Sequence, residues 1–372
     1  MSAGFPLPTT AETKAVIPDH CFERILWRSA MYAVMSLVLT VGTGVLAWRF
    51  LPLHWAWTPA WILYAVVVGT FATGLWVVAH ECGHRAFSKG TRLQDTVGFV
   101  LHSALLVPYF SWQRSHAIHH GKTNHLTEGE THVPKRFGTR QGRRALAVRA
   151  RLGPRTHGVL TILGRLIAGW PLYLLVGATG GPERGLTNHF WPSKPFSSAL
   201  FPNRWARKVR WSAAGVLVTL GLLTWWAIAA GSVWPVLALY VGPYLVCNMW
   251  LVAYTWLQHT DEDIPHYADD DWSFVRGAFC SVDRPYGRLI DLLHHRIGST
   301  HVAHHLDAKI PHYHAAAATT AIANAFPHLY RYDPTPVPKA LWRVAKNCHV
   351  VAPASDGWQF TDSGERTFEQ AA

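Results

Sequence analysis

The stretch VAHECGHRAF, residues 78–87, places two histidines four positions apart directly after a long apolar segment. On a helix, positions i and i+4 lie on one face, so His80 and His84 can bind one metal ion together. With Glu81 the pattern also matches the HExxH signature of zinc proteases. The choice between these interpretations depends on where the rest of the chain's 23 histidines lie.

Four segments of the chain are long and apolar enough to cross a bilayer, which takes roughly 20 helical residues. None of them contains a charged residue or a histidine, and Trp and Tyr are frequent at their ends, as at a membrane interface. A soluble helical bundle is the alternative, but apolar residues on every face of a helix disfavour it. We therefore predict an all-α integral membrane protein with four transmembrane helices in two hairpins and a cytosolic helical cap. The four segments are 30–48, 57–78, 211–230 and 233–256.

The charge of the chain, formally +12, is concentrated between the two hairpins. Residues 79–210 contain 20 Lys and Arg against 5 Asp and Glu, whereas the connections 49–56 and 231–232 contain a single Arg. The positive-inside rule therefore places the N-terminus, the long loop and the C-terminal third in the cytosol. Anionic lipid headgroups or an acidic protein suit this basic surface better than nucleic acid does, so no nucleic-acid partner is expected.

This topology divides the chain into six parts. Two further apolar stretches, 96–110 and 164–181, are short or contain a charge, so we predict interfacial helices there, with a six-span topology as the alternative. The five cysteines form no CxxC pair, which argues against a disulfide framework or a thiolate metal site. The parts are a cytosolic N-terminal segment (1–29), the first hairpin (30–78), a cytosolic loop with two histidine boxes (79–210), the second hairpin (211–256), a cytosolic cap with the third box (257–351) and a tail (352–372).

Two HxxHH boxes and one isolated histidine complete the pattern. In HxxHH, three imidazoles can face one way on a helix. All these residues follow the cytosolic ends of the predicted spans, so they should converge at one membrane surface. Nine imidazoles exceed the four ligands of one tetrahedral zinc and suit two metal ions; spacing alone does not distinguish iron from copper or zinc. The protease interpretation leaves the HxxHH boxes unused. The additional residues are His116, His119, His120, His259, His301, His304 and His305.

Several longer stretches allow the family to be recognised. AHECGHRAFS (79–88), GETHVPK (129–135), STHVAHH (299–305) and YDPTPVPKALWRVAKNC (332–348) are similar to motifs of the membrane fatty acid desaturases. Within that family the chain resembles the microsomal Δ12 (oleate) desaturases and their Δ15 relatives. The resemblance implies a non-haem diiron centre held by the nine histidines. It also implies insertion of a cis double bond at Δ12, and for some members Δ15, of a lipid-borne oleoyl chain.

The resemblance carries further implications. The reaction consumes O2 and takes electrons from an external cytochrome b5, reduced by NADH–cytochrome b5 reductase. The protein would reside in the endoplasmic reticulum with both termini cytosolic, and a homo-oligomer is left open. The basic run at 136–155 would dock either cytochrome b5 or anionic headgroups.

Carboxylates near the boxes are candidates to orient the ligands, because a metal-bound histidine usually donates its other N–H to an acceptor. We expect this role for Glu81, Glu130 and Asp283, with Glu128 and Asp291 as further candidates. Acyl-CoA relatives have an Asn where this chain has Thr255, four residues before the isolated histidine.

Two alternative functions remain open on sequence. A diiron acyl hydroxylase or epoxygenase would use the same scaffold. A non-enzymatic, histidine-rich metal transporter would need ionisable groups inside its spans. The predicted spans contain none.

Overall fold

The computed structural model describes residues 6–361, and the rest of the predicted N-terminal segment and tail lies outside the described residues. The first half of the chain is almost entirely helical. Its helices are α1 (Thr10–Ala15), α2 (Leu26–Leu37), α3 (Thr43–Phe50), α4 (Thr58–Gly83), α5 (Thr91–Ala104), α6 (Tyr109–Gly121), α7 (Arg140–Leu152) and α8 (Pro154–Val176).

The second half is also mainly helical, and two strands near its end pair with one short strand from the first half to form a small sheet. Its helices are α9 (Ala206–Ala229), α10 (Trp234–Val236), α11 (Gly242–His259), α12 (Phe274–Ala278), α13 (Arg288–Leu293), α14 (His301–Leu306), α15 (His312–Ala325) and α16 (Val337–Asn347). The strands are β1 (Lys135–Arg136), β2 (Val350–Pro353) and β3 (Trp358–Phe360).

The four predicted apolar segments are all helical. α2 and α3 join through a π-helical turn into one helix, Leu26–Phe50, and α10 and α11 join likewise into Trp234–His259. Large apolar side chains point outward along them; Val38 and Leu217, for example, are both more than 60% exposed. Apolar side chains on the outside of a helix suit contact with lipid, so the prediction of a helical protein with several apolar helices is confirmed.

α4 and α11 form the central pair of the bundle. Gly69 on α4 allows the two backbones to approach, because a Cβ atom there would lie 2.6 Å from the Pro243 carbonyl oxygen and from Val246. Close approach through small residues is a common way for helices to pack in a membrane. The indole N–H of Trp250 on α11 donates to the Thr70 hydroxyl on α4 at 3.0 Å. These contacts bring the ends of the two helices, where His80 and His259 lie, to the same region.

The stretch predicted at 164–181 belongs to a longer helix than expected. α8 begins at Pro154, whose fixed φ suits a first helical position, and ends before Gly177, which adopts a φ of 65°. By length and composition it is a fifth helix able to cross a membrane, besides the four predicted segments. Residues 96–110 are instead divided between α5 and α6, which are not among these five helices.

The cap consists of α12–α16 and a three-stranded sheet, so the fold is mostly rather than wholly helical. β1 pairs parallel to β2, and β2 pairs antiparallel to β3. Strands of two to four residues are too short to show an alternating pattern in sequence. A hydrophobic core that includes Ile17, Val302 and Ile322 attaches the N-terminal segment and α15 to the helix of the third box.

Four charged side chains connect the end of α11 to the cap. The Arg284 side chain is fully buried and pairs with Asp261, at 2.6 Å from Nη2 to Oδ2, and with Asp333. Arg343 on α16 pairs with the same two aspartates, at 2.6 and 2.5 Å. Two cations and two anions balance, which is the condition under which buried charges are tolerated. Since Asp261 follows His259 by two residues, this clamp also fixes the end of α11.

Arg284→Met should destabilise the protein by about 3–5 kcal/mol, because it leaves two aspartates beside one arginine in a buried site. Thermal unfolding of the detergent-purified protein measures the effect as a fall in midpoint.

Arg296→Met is the matched control. The Arg296 side chain is 51% exposed and lies 3.8 Å from Asp291, and such exposed pairs contribute about 0–1 kcal/mol. Equal shifts for both variants would contradict a structural role for the clamp.

Candidate metal centre

The first box lies at the C-terminal end of α4. His80 is in the last turn of this helix and His84 is its C-terminal capping residue. Their Nε2 atoms are 3.2 Å apart. Because residues i and i+4 share a face, the helix presents both rings in one direction.

The second box lies on α6, and the helix divides its three histidines between two groups. His116 and His120 are one turn apart and have their Nε2 atoms 3.3 Å from each other. The His116 Nε2 atom is also 3.0 Å from that of His80. His119 is turned away from this pair, and its Nε2 atom lies 3.0 Å from that of His259 at the end of α11.

The third box lies on the short helix α14 and contributes histidines to both groups. His301 contacts the second group, with its Nε2 atom 2.9 Å from that of His259. Ring nitrogens within 4.8 Å of one another define a group of five histidines and a group of three, which His301 adjoins. The first group is His80, His84, His116, His120 and His304; the second is His119, His259 and His305.

All nine predicted histidines therefore converge, and their environment keeps the imidazoles neutral. Burial lowers the pKa of His116, His120, His301 and His305 well below the ordinary value, with neighbouring histidines adding to the effect. Burial lowers the pKa of His304 to about 3. A neutral imidazole has a free lone pair, which is the form that binds a metal ion.

The ring nitrogens fit metal ions better than they fit one another. The Nε2 atoms of His304 and His305 are buried and have no hydrogen-bond partner in the described structure. Two nitrogens bound about 2.1 Å from one ion, at right angles, would lie about 3 Å apart. The observed Nε2 separations are 2.9–3.3 Å. Two groups of imidazoles and no thiolate suit two first-row metal ions such as iron, copper or zinc.

The predicted orienting carboxylates lie around the site but bond other groups. Glu81 Oε2 accepts the His312 backbone N–H and lies 3.1 Å from the Nδ1 atom of the same residue. Glu128 pairs with Lys122, and Asp291 accepts from the Ser299 hydroxyl. Among the described residues, none of the five predicted carboxylates hydrogen-bonds one of the nine imidazoles.

Asp283 instead positions the third box through the backbone. Its Oδ1 atom accepts the Val302 N–H at 2.9 Å and its Oδ2 atom accepts the Tyr330 hydroxyl at 2.9 Å. Free N–H groups in the first turn of a helix need such acceptors. Burial raises the pKa of Asp283 to about 7. The Asp283 side chain thus accepts a hydrogen bond from a free backbone N–H at the start of α14, where His301 lies.

Glu130 is the predicted carboxylate that faces the open space beside the site. Its Oε1 atom accepts the Tyr173 hydroxyl at 2.8 Å, and that hydroxyl lies 2.8 Å from the Ser115 hydroxyl on α6. Burial raises the pKa of Glu130 to about 7.

Sequence reasoning missed two residues at the site. The Thr123 hydroxyl lies 3.0 Å from Nδ1 of His305 and so orients that ring. Thr123 lies two residues beyond the end of α6, where its hydroxyl also donates to the His119 carbonyl at 2.8 Å, so helical periodicity does not predict its contact with His305. His132 stacks beside His259 with ring centroids 6.0 Å apart, and only the folded structure shows this contact.

An apolar cavity of about 430 Å³ runs beside the two histidine groups. Trp112 stacks on His116, with ring centroids 4.6 Å apart, and forms part of the wall. Thr255, the position of the expected Asn, also lines the cavity, but its hydroxyl donates to the Leu251 carbonyl within α11. The histidines that line this space are His116, His119, His132, His259 and His301.

Comparison with known proteins places this arrangement in a family. Residues 55–336 match the family model described as fatty acid desaturase. An oleoyl-12-hydroxylase of Ricinus communis is 40% identical over 93% of this chain and 87% of its own length. A Delta(12)-oleate desaturase of Trichosanthes kirilowii is 39% identical over 94% and 92%. A Delta(12)-fatty-acid desaturase of Vernicia fordii is 42% identical over 94% and 88%. The chain belongs to the fatty acid desaturase family and is an oxidoreductase of the desaturase type.

Proposed function

We propose that the protein inserts a cis double bond at Δ12 of oleoyl chains. The relatives named for Δ12 desaturation support this position, and Δ15 is a further position to test. The observation that carries the proposal is the apolar cavity bounded by histidines from both groups. A uniform hydrocarbon chain in such a cavity lies against the metal centre along only part of its length.

The nine histidines are proposed to hold two iron ions. When bound, the iron pair supplies the oxidising power, drawn from O2 and two electrons, that removes two hydrogens from the acyl chain. The protein's part is to hold the chain and exclude water. Trp76 and Trp112 form an apolar wall beside His80 and His116, and Leu251 and Val252 continue it along α11.

Acyl hydroxylation is the second candidate, favoured by the similarity to the Ricinus communis hydroxylase. Both reactions need the same metal ligands and the same chain position. Membership in an enzyme family leaves the transporter hypothesis without support.

The electron donor is proposed to be cytochrome b5, reduced by its NADH-dependent reductase. α7 presents exposed basic side chains, Arg140, Arg143, Arg144 and Arg151 among them, which complement an acidic partner. Anionic headgroups are the competing partner of this surface. Endoplasmic reticulum residence with cytosolic termini, a homo-oligomer and the six predicted parts of the chain belong to the same proposal.

We further propose that α8 lies along the membrane surface, which would leave four crossing helices. Gly158 near its start packs against Trp342 of the cap helix α16. Near its end, Trp170 contacts Trp76, and Tyr173 bonds Ser115 beside His116. Both ends of α8 therefore contact the side of the protein that carries the histidines.

Expression in a yeast that makes only monounsaturated fatty acids tests the reaction. New linoleate in the total fatty acids, measured by gas chromatography–mass spectrometry, is the expected product. His119→Ala should abolish it and lower the iron content of the purified protein, because one ligand of the second group is lost. His54→Ala, an exposed residue between α3 and α4, should change neither.

Hydroxylated fatty acids in place of linoleate would show that the reaction is acyl hydroxylation, the second candidate. Full iron content and activity in His119→Ala would contradict the proposed ligand set.

Gly164→Leu should lower linoleate formation about tenfold or more while iron content stays unchanged. Gly164 lines the cavity, and a Cβ atom there meets no atom within 4 Å, so the larger side chain would occupy the space of the acyl chain without a clash. Product yield per mole of iron-loaded protein measures the effect.

Gly221→Leu is the matched control, because Gly221 is an exposed helical glycine on α9 with equally open surroundings. Equal losses in both variants would show that the effect comes from helix or membrane packing and not from the cavity.

A further inference from the structure

A second cavity, of about 620 Å³, opens beside the apolar one. We call it the basic vestibule. Its lining includes Lys135, Arg144 and Arg165 and contains no aspartate or glutamate. The two cavities share the lining residues His132, Thr161, Arg165 and Thr179, so they adjoin along one side of α8.

Arg165 lies where the two cavities meet. Its guanidinium carbon is 4.3 Å from the ring centroid of Trp256, which is fully buried. Within the described part of the chain, no carboxylate lies at ion-pair distance from Arg165. A partly buried cation without a counter-ion is costly unless a ligand supplies the opposite charge. The buried Arg284 shows the contrast, because two aspartates neutralise it together with Arg343.

The other basic groups of the vestibule add to this positive potential. Burial lowers the pKa of Lys135, and the like charges of Arg165 and Arg144 lower it further. Burial lowers the pKa of His349 to about 4, with His157, Arg149 and Arg165 contributing, so this ring is neutral and the charge of the vestibule comes from Lys135, Arg144 and Arg165. Three cations thus repel one another at the mouth of an apolar cavity.

We propose that the basic vestibule binds the phosphate of the acyl carrier and that Arg165 is its main ligand. This inference rests on the proposed function, because it assigns the head of the substrate whose tail fills the apolar cavity. An arginine fork matches two phosphate oxygens, and stacking on Trp256 holds the fork in place. Lys135 and Arg144 add charge from β1 and α7.

The placement suits a long acyl chain. Arg165 and Tyr173 are eight residues apart on α8, about 12 Å along the helix. Tyr173 bonds Ser115, the neighbour of His116. A phosphate held by Arg165 and an acyl segment beside His116 would therefore occupy different positions along the cavity.

An acidic protein is a poorer occupant than a small phosphate ligand. Arg165 is half-buried and lies against Trp256 inside the cavity wall, whereas the exposed arginines of α7 remain available for a protein surface.

Equilibrium binding to the purified full-length protein, without an electron donor, tests the proposal. Three probes compete with a fluorescent polyene fatty acid methyl ester: methyl oleate, which has no phosphate, 1-oleoyl lysophosphatidylcholine and oleoyl-coenzyme A. Arg165→Gln should weaken at least one phosphate-bearing probe about tenfold or more, and leave methyl oleate unchanged. Arg165→Lys should restore part of the loss. Arg288→Gln removes an exposed charge of α13, outside the vestibule and outside the basic surface of α7, and should alter no probe.

If only one phosphate-bearing probe binds more weakly to Arg165→Gln, that probe identifies the carrier as phospholipid or coenzyme A. If both bind more weakly, the vestibule recognises the phosphate alone. Equal weakening of methyl oleate in Arg165→Gln would overturn the proposal, since Arg165 would then support the cavity structurally. A phosphate probe that competes in wild type but is insensitive to Arg165→Gln would also overturn it while leaving the apolar acyl site intact. If not even methyl oleate competes, the acyl cavity itself, and with it the proposed function, is wrong.

Discussion

The structure depends on holding nine imidazoles within contact of one another while keeping them uncharged. Protonated rings at separations near 3 Å would repel strongly in a buried site. Burial keeps the rings neutral, because desolvation disfavours the charged form of every ring. Two of the histidines lie where apolar helices end, His80 in the last turn of α4 and His259 at the last residue of α11. The close packing of these two helices at Gly69 brings both ends to the same site.

The arginines beside α11 differ in whether carboxylates neutralise them. At the end of α11, Arg284 and Arg343 are matched by two aspartates, so the polar connection between membrane helix and cap carries no net charge. Arg165 on α8 stacks on Trp256, and no carboxylate of the described residues lies at ion-pair distance from it. The first arrangement is complete within the protein and serves its architecture. The second leaves a positive charge that no residue between positions 6 and 361 pairs with, directly beside the apolar cavity.

The sequence predicts much of this because its signals are local. Apolar runs and the i, i+3, i+4 spacing of histidines define helices and faces without knowledge of the fold. The shared face of each HxxHH box does not predict the division of the second box, because His119 lies in one group and His116 and His120 in the other. The partners of Glu81 and Asp283 are not predicted either, because His312 and Val302 reach them from distant segments of the chain. The start of α8 was likewise hidden, since its first turns, from Pro154, are polar and basic whereas its later turns are apolar.

The histidine groups draw on residues from position 80 to position 305. During synthesis the first two boxes emerge long before the third, and no group is complete until α14 has been made. His80 and His116 can approach early, yet His259 and His305, two of the three members of the second group, arrive only with the last apolar helix and the cap. Each group can therefore offer its full set of imidazoles to a metal ion only after the polypeptide has been made as far as α14. A chain that ends within α11 would keep His80 and His116 but lack His304 and His305, so both groups would be incomplete.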